Sequence, residues 1–368
     1  GIAKDFKTDA YDYPVAEAYL SYRASKFFNL QLGHGKNFIG DGYRSLFLSD
    51  NSVLVPYFKI STNFWKIKYT NIWMLLNDVR DVATVEGVYR KKYMATHYLS
   101  LNVTKKLNIG LFESVVWDNT NDRGFDANFL NPIIFYQALQ FSTGSRSGNA
   151  LMGVSAKYKW NDKISLYTQL LIDEFSTSHI AKGTGSWKNK NGFQLGIKYF
   201  DAFKVENLYL QAEYNEVRPF TYSHNFPVLN YGNSNQSMAH PWGSNFNEFI
   251  GIANYTKGRW YGNAKLIVGK KGFDIEGDPL SYGGDIYRDY SDRNGDFGID
   301  VGQGNTADIF IGDLQVGYLV NPATNLKFYG GFTYRSFNSE SPTIFDSTDT
   351  TWFNIGLRTD LFDWKFDF

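Results

Sequence analysis

The sequence predicts an all-β fold: a transmembrane antiparallel β-barrel of about sixteen strands, within a range of roughly fourteen to eighteen, with short periplasmic turns and long extracellular loops. Three observations carry that expectation. Apolar and polar residues alternate with period two from end to end, and no amphipathic helix of ordinary length competes with them. The alternating segments run about ten residues, the span a tilted membrane strand needs. Short turns alternate with long polar excursions, the asymmetry of a barrel whose two rims face different compartments.

The strands follow in order at 15–24, 27–36, 56–64, 66–79, 94–104, 107–118, 150–160, 164–175, 191–202, 207–217, 248–257, 260–271, 308–320, 324–337 and 350–362. In three of them the two faces separate plainly. Met152, Val154, Ala156, Tyr158 and Trp160 oppose Gly153, Ser155, Lys157 and Lys159. Leu208, Leu210, Ala212 and Tyr214 oppose Tyr209, Gln211, Glu213 and Asn215. Phe353, Ile355, Leu357, Thr359 and Leu361 oppose Trp352, Asn354, Gly356, Arg358 and Asp360. A soluble sandwich also alternates, so strand length and the turn pattern make the choice. Tight connections fall near 23–26, 63–66, 104–107, 161–163, 201–207, 257–260 and 321–325. Long excursions occupy 34–55, 80–93, 118–149, 176–190, 218–247, 273–307 and 338–349.

With the short turns inside, the first strand runs downward, whereas bacterial barrels have an even strand count and both ends in the periplasm. The expectation is therefore one barrel domain over 1–368 that lacks an N-terminal portion, including at least one upward strand. At the other end Trp364, Phe366 and Phe368 alternate up to the terminal residue. They look like the C-terminal signal read by the barrel-insertion machinery, with a bulge near 361–362 to bring them into phase.

Composition agrees. Aromatics reach 18%, with 26 Tyr, 31 Phe and 9 Trp, residues suited to a membrane interface. No run approaches the ~20 apolar residues of a membrane helix, so a membrane location requires a barrel. Lys+Arg and Asp+Glu both total 37, which leaves no overall charge to drive nucleic-acid binding. There is no cysteine, which excludes disulfides and thiolate metal sites.

The stretch GHGKNFIGDGYRSLFLSD (33–50) invites a phosphate-loop reading and fails it. Leu30 stands where the first glycine belongs and Asn37 where the hydroxyl belongs. The dinucleotide pattern fails as well, since Phe38 and Ser45 occupy the third glycine positions. Asp41 is placed to cap a short turn. Phe38, Ile39, Leu46, Phe47 and Leu48 are too apolar for a loop in water, so the segment is expected to fold into the barrel mouth. His34, Lys36, Asp41, Arg44 and Asp50 would then make paired polar contacts in a plug.

Chemistry is sparse. The five histidines, His34, His97, His179, His224 and His240, accompany no serine-hydrolase elbow and no His-Glu-x-x-His helix. Asp292, Asn294, Asp296 and Asp300 alternate as calcium-loop oxygens do, although Phe297 holds the place of the loop glycine. A structural calcium is the one cofactor considered, against a solvated loop. Tyr222, Phe226, Tyr231, Trp242, Tyr282, Tyr287 and Tyr290 lie among Asn, Ser and Gly in the long loops. They are candidates for a glycan-binding or partner-binding surface, or for loop packing.

Whole-chain patterns carry a family likeness. FKTDAYDY (6–13), the 33–52 stretch, PYFKISTNFWKIKYTN (56–71), AHPWGSNFNEFIGI (239–252), SYGGDIYRDY (281–290) with GQG (302–304), and the closing FNIGLRTDLFDWKFDF resemble the RemB-like gliding-motility outer-membrane barrels of Bacteroidetes. Those barrels are similar to the Wzi capsule-assembly family. The absence of catalytic motifs predicts a non-enzymatic protein, and the resemblance implies a barrel in outer-membrane lipid. It would bind surface polysaccharide or serve as a subunit of a gliding, secretion or assembly complex, with a passive or selective pore as the alternative.

Overall fold

A computed structural model describes residues 4–12, 15–120, 123–131, 148–275, 277–341 and 346–359. Fifteen strands form one antiparallel sheet, each paired with its neighbour in the chain. They are β1 (Ala18–Tyr22), β2 (Phe28–Gly35), β3 (Val55–Phe64), β4 (Ile67–Asp78), β5 (Arg90–Asn102), β6 (Leu107–Asp118), β7 (Asn149–Lys159) and β8 (Ile164–Glu174). The series continues with β9 (Lys190–Tyr199), β10 (Leu208–Val217), β11 (Phe246–Lys257), β12 (Trp260–Phe273), β13 (Asn305–Asn321), β14 (Leu326–Ser339) and β15 (Thr348–Thr359). Two small ribbons, Lys4–Phe6 with Ala10–Asp12 and Gly232–Asn233 with Gln236–Ser237, stand outside the sheet.

Every strand expected between 15 and 362 has its counterpart, and the differences lie at the ends. The strand expected at 94–104 begins at Arg90, and the one expected at 308–320 begins at Asn305. Both gain length on the long-loop side, where Arg90 pairs with Asp78 and Asn305 with Phe273 of the neighbouring strands. The expected count is about sixteen; among the described residues the sheet has fifteen strands. Among the described residues no rung joins β15 to β1. These two strands run in the same direction, so an antiparallel closure requires an even number. The aromatic terminus, Trp364, Phe366 and Phe368, and the bulge expected near 361–362 lie outside the described residues.

Burial along each strand is inverted relative to a soluble sandwich. On β8 and β9 the apolar face is the accessible one: Leu170 is 44% and Leu195 54% exposed, while Gln169 and Gln194 on the opposite face are 1% and 0% exposed. Val154, Ile197, Leu314 and Val316 repeat the outward pattern, whereas β15 at the sheet edge is exposed on both faces. A sheet that presents branched aliphatics outward and amides inward is stable only where the exterior is hydrocarbon. Near the short turns this face carries exposed Phe64, Trp65, Trp160, Phe203 and Trp260. That is the aromatic ring expected at a membrane interface.

The interior is occupied on the long-loop side. Segment 36–54, between β2 and β3, turns inward, and Leu46, Phe47 and Leu48 are buried together with inward residues Ile72, Met74, Phe112, Leu151 and Leu171. Above it lies segment 218–245, between β10 and β11, which touches strands far from its own. The Ser234 N–H donates to the Asn77 carbonyl at 2.9 Å, and Lys92 Nζ donates to the Asn230 carbonyl at 2.9 Å. A loop rooted at β10 and β11 that hydrogen-bonds β4 and β5 requires a sheet curled around a shared interior.

Outside the wall, segment 123–131 packs on the outer faces of β4 to β6. Phe129 joins Trp73, Ala95, Val115 and Trp117 in a separate apolar cluster, and the Trp73 indole donates to the Phe129 carbonyl at 3.0 Å.

The inverted pattern makes a direct prediction. Leu195→Arg, on the outward face, is expected to destabilise the protein by about 2–4 kcal/mol. Asn254→Arg, on the inward face, is expected to stay within about 0.5 kcal/mol of the parent. Denaturant titration of the protein refolded into lipid vesicles compares the two.

Candidate functional site: the plugged lumen

Strand register assembles the site before any loop enters it. Gln169 on β8 faces Gln194 on β9, Gln194 faces Asn215 on β10, and Asn215 faces Glu248 on β11. A row of four inward polar groups therefore crosses four neighbouring strands at one height. One rung toward the turns, Tyr167 faces Gly196 and Gly196 faces Glu213. The absence of a side chain at Gly196 lets the Tyr167 ring lie across β9, where a Cβ would sit 2.0 Å from it. The phenol then reaches Glu213 Oε2 at 2.7 Å and accepts from Gln211 Nε2 at 2.7 Å.

Segment 36–54 delivers its tip to this row. The N–H groups of Tyr43 and Arg44 donate to the two oxygens of Glu213, at 2.7 and 3.0 Å. The Leu46 N–H donates to Gln169 Oε1 at 2.8 Å, and Gln194 Nε2 donates to the Arg44 carbonyl at 3.0 Å. Gly42 is required by this approach, because a Cβ there would lie 2.5 Å from Glu213 Oε2 and 2.8 Å from Gln194 Oε1. The wall thus supplies the hydrogen bonds that an inserted backbone would otherwise find only in water.

Arg44 is buried with the tip, and its Nη2 lies 3.1 Å from Glu248 Oε1. The other Glu248 oxygen accepts from His240 Nε2 at 2.6 Å and from Asn215 Nδ2 at 3.1 Å. His240 Nδ1 accepts the Trp242 N–H at 3.1 Å, so the proton of a neutral ring belongs on Nε2, facing Glu248. Burial pushes the imidazole below its usual value, against the opposing pull of Glu248. The neutral ring is the form this network holds.

The cap bolts the plug from above. Tyr222 and Tyr231 donate to the carbonyls of Leu46 and Phe47, each at 2.8 Å, and the two rings stack at 5.7 Å. Ser49 N–H donates to the Met238 carbonyl at 2.8 Å, and Val53 N–H to Gln236 Oε1 at 3.0 Å.

The residues singled out in the sequence fall in several places. Of the five polar plug candidates, Arg44 alone is buried in the network. Asp41 pairs with Lys157 at 2.5 Å on the turn side. Lys36 donates to the Asp50 carbonyl at 2.8 Å, and His34 Nδ1 lies 2.8 Å from the Ala16 carbonyl; both side chains are exposed. The five therefore do not form one cluster. Of the aromatic surface, Tyr222, Tyr231 and Trp242 are buried and cannot meet a ligand from outside, a correction whose cause is that their polar atoms or ring faces complete the cap. Tyr282, Tyr287 and Tyr290 are half-buried. Tyr282 donates to Asp278 at 2.9 Å, Tyr287 donates to the Gln236 carbonyl at 3.1 Å, and Tyr290 packs on Trp187 at 5.0 Å. Phe226 is exposed beneath the Arg90 guanidinium.

Asp292, Asn294, Asp296 and Asp300 all face solvent, and Asp296 accepts from Arg293 Nε at 2.6 Å. Among the described residues no three His, Asp or Glu side chains converge as a metal site. Sequence reading missed Gln169, Gln194, Glu213, Glu248 and His240 as a unit. Alternation did place Glu213 on the polar face of its strand, but only register sets it beside the plug.

An apolar exterior, a polar interior, an aromatic ring at the turn rim and long folded loops at the other define a multi-pass outer-membrane β-barrel protein. No family model matches the chain, and no curated protein matches it. Among solved structures it is similar to Pseudomonas aeruginosa OprD, at 14% identity and a TM-score of 0.47 over 94% of this chain and 82% of that one. Acinetobacter baumannii OccAB2 stands at 10% identity and 0.47, covering 95% and 80%. Pseudomonas aeruginosa OpdQ stands at 10% and 0.48, covering 94% and 81%.

Two predictions follow from the network. Glu248→Ala leaves the Arg44 charge buried beside an empty place and is expected to cost about 3–5 kcal/mol. Adding Arg44→Met to that variant is expected to recover much of the loss, as measured by denaturant unfolding in detergent. For His240 the folded state favours the neutral ring, so its contribution is intact above the unfolded value of about 6.5 and declines as the pH falls below it. Protection of the 218–245 amides, measured relative to their intrinsic exchange rate at each pH, is expected to fall as the pH is lowered from 7 to 5, and His240→Gln to flatten that response.

Proposed function

We propose that this protein is a plugged, non-enzymatic outer-membrane barrel that works by binding at its loop-covered face and does not pass solutes freely. The observation that carries the reading is the inserted segment 36–54, whose tip makes direct hydrogen bonds to the inner wall at Glu213, Gln169 and Gln194. A loop held only by its own ends would leave a water path. This one is bonded to three strands below and to two cap tyrosines above.

The partner at that face is surface polysaccharide or another outer-membrane protein. The likeness of the sequence to RemB-like and Wzi-type barrels supports that choice, and so does the half-buried aromatic rim of Tyr282, Tyr287 and Tyr290 with exposed Phe226. A selective channel is the second reading. It is favoured by the inward face of the wall on the turn side, which carries Lys157, Lys198, Lys265 and Lys327, with Asp313 opposite Lys265.

Planar-bilayer recording separates the two. The intact protein is expected to show no stable open level, and deletion of residues 38–50 to raise conductance roughly tenfold toward that of an unobstructed barrel. A large, stable open level in the intact protein would overturn the plugged reading.

A further inference from the structure

On the outward face of the wall, strand register lays out a line of polar side chains near the long-loop end. Glu216 on β10 faces Asn247 on β11, Asn247 faces Lys270 on β12, Lys270 faces Asp308 on β13, and Asp308 faces Asn338 on β14. One rung toward the turns, Tyr214, Phe249, Val268 and Phe310 stand in the same order. One rung further, Gly251 and Gly312 hold the outward positions on β11 and β13. The exterior therefore passes from polar to aromatic to small residues within three rungs. That is the order in which headgroups, interface and hydrocarbon succeed one another on a barrel.

The two upper rungs enclose a cleft of about 390 Å³ on the outside of the wall. Exposed Phe249, Val268 and Phe310 form its apolar sides, and Asn247, Lys270 and Asp308 form its polar rim. Lys270 Nζ lies 3.3 Å from Asp308 Oδ1, with the two side chains 58% and 62% accessible, so the pair contributes little and both groups remain open to a ligand. Glu216 accepts from the Tyr214 hydroxyl at 2.7 Å. The line thus sets two carboxylates against one ammonium, and a purely anionic head would meet net repulsion there. A head that joins a phosphate to an ammonium meets a partner for each charge.

We infer that this cleft is a site for a phosphoethanolamine-bearing membrane lipid. A hydrocarbon chain lies between Phe249 and Phe310, the phosphate accepts from Lys270, and the primary ammonium donates to Asp308. The ligand class is read from three features together: the cleft is apolar below and polar above, it sits at the height where lipid heads lie, and its rim places a cation beside an open carboxylate. A soluble phosphorylated compound would leave the aromatic sides of the cleft unused. Asn247 faces outward where its neighbour Glu248 faces the plug, so the site is independent of whether the lumen is closed.

The test takes the full chain, delipidated in detergent, into native mass spectrometry with dioleoyl phosphatidylethanolamine and dioleoyl phosphatidylglycerol, which share their chains and differ in the head. Wild type is expected to hold one phosphatidylethanolamine about tenfold more tightly than phosphatidylglycerol. Asp308→Asn is expected to weaken phosphatidylethanolamine several-fold and to strengthen phosphatidylglycerol, and Lys270→Gln to weaken both. A Cβ at Gly251 would meet nothing closer than the Phe249 ring at 3.9 Å, so Gly251→Leu fills the lower end of the cleft and is expected to weaken both lipids with their ratio unchanged. If that variant fails to insert, the two exposed rim variants carry the test. Glycerophosphoethanolamine, the head without chains, is expected not to compete. Equal affinity for the two lipids in wild type, phosphatidylethanolamine binding unchanged by both rim variants, or full competition by glycerophosphoethanolamine overturns the inference. None of these results bears on the plug, which planar-bilayer recording tests separately.

Discussion

The ion pair between Arg44 and Glu248 is the interaction on which the rest of the site depends. A guanidinium carried by an inserted loop has left water, and no arrangement of amides alone compensates that loss. Glu248 supplies the charge, and its second oxygen is then held by His240 and Asn215. His240 belongs to the cap and Arg44 to the plug, so one wall carboxylate joins both loops to the sheet. Neither loop can leave without exposing the other's partner.

That arrangement divides the interior into two regions of different character. On the long-loop side the lumen is dry, packed by Leu46, Phe47 and Leu48 and closed by Tyr222 and Tyr231. On the turn side it carries lysines whose heads lie against tyrosine rings. Charges in the first region act as structural fasteners, because desolvation makes separation costly. Charges in the second are screened and exchangeable. Asp41 stands at the boundary, where its pair with Lys157 remains partly accessible.

The outer wall shows the same economy of residue types. Leu170 and Leu195 would be liabilities on a soluble protein, and Gln169 and Gln194 would be liabilities in a soluble core. Both become favourable when hydrocarbon lies outside and a polar plug lies inside. The segment at 123–131 extends the principle to the exterior, where Phe129 and Trp117 cover part of the wall with protein.

How much of this was legible depends on the range of the interaction involved. Alternation is a local property, so the sequence by itself determined the strands from Ala18 to Thr359, the short and long connections, and which face of each strand is polar. It also determined that a loop bearing Leu46, Phe47 and Leu48 had to leave water. Tertiary structure alone decided where that loop would dock, because Arg44 meets Glu248 and Tyr43 meets Glu213 across a long stretch of intervening chain. It likewise turned Tyr222 and Tyr231 from apparent surface aromatics into buried bolts. The physical reason is that a period-two pattern specifies the side of the sheet on which a residue lies. Its partner across the lumen is specified only by register and by the curvature of the sheet.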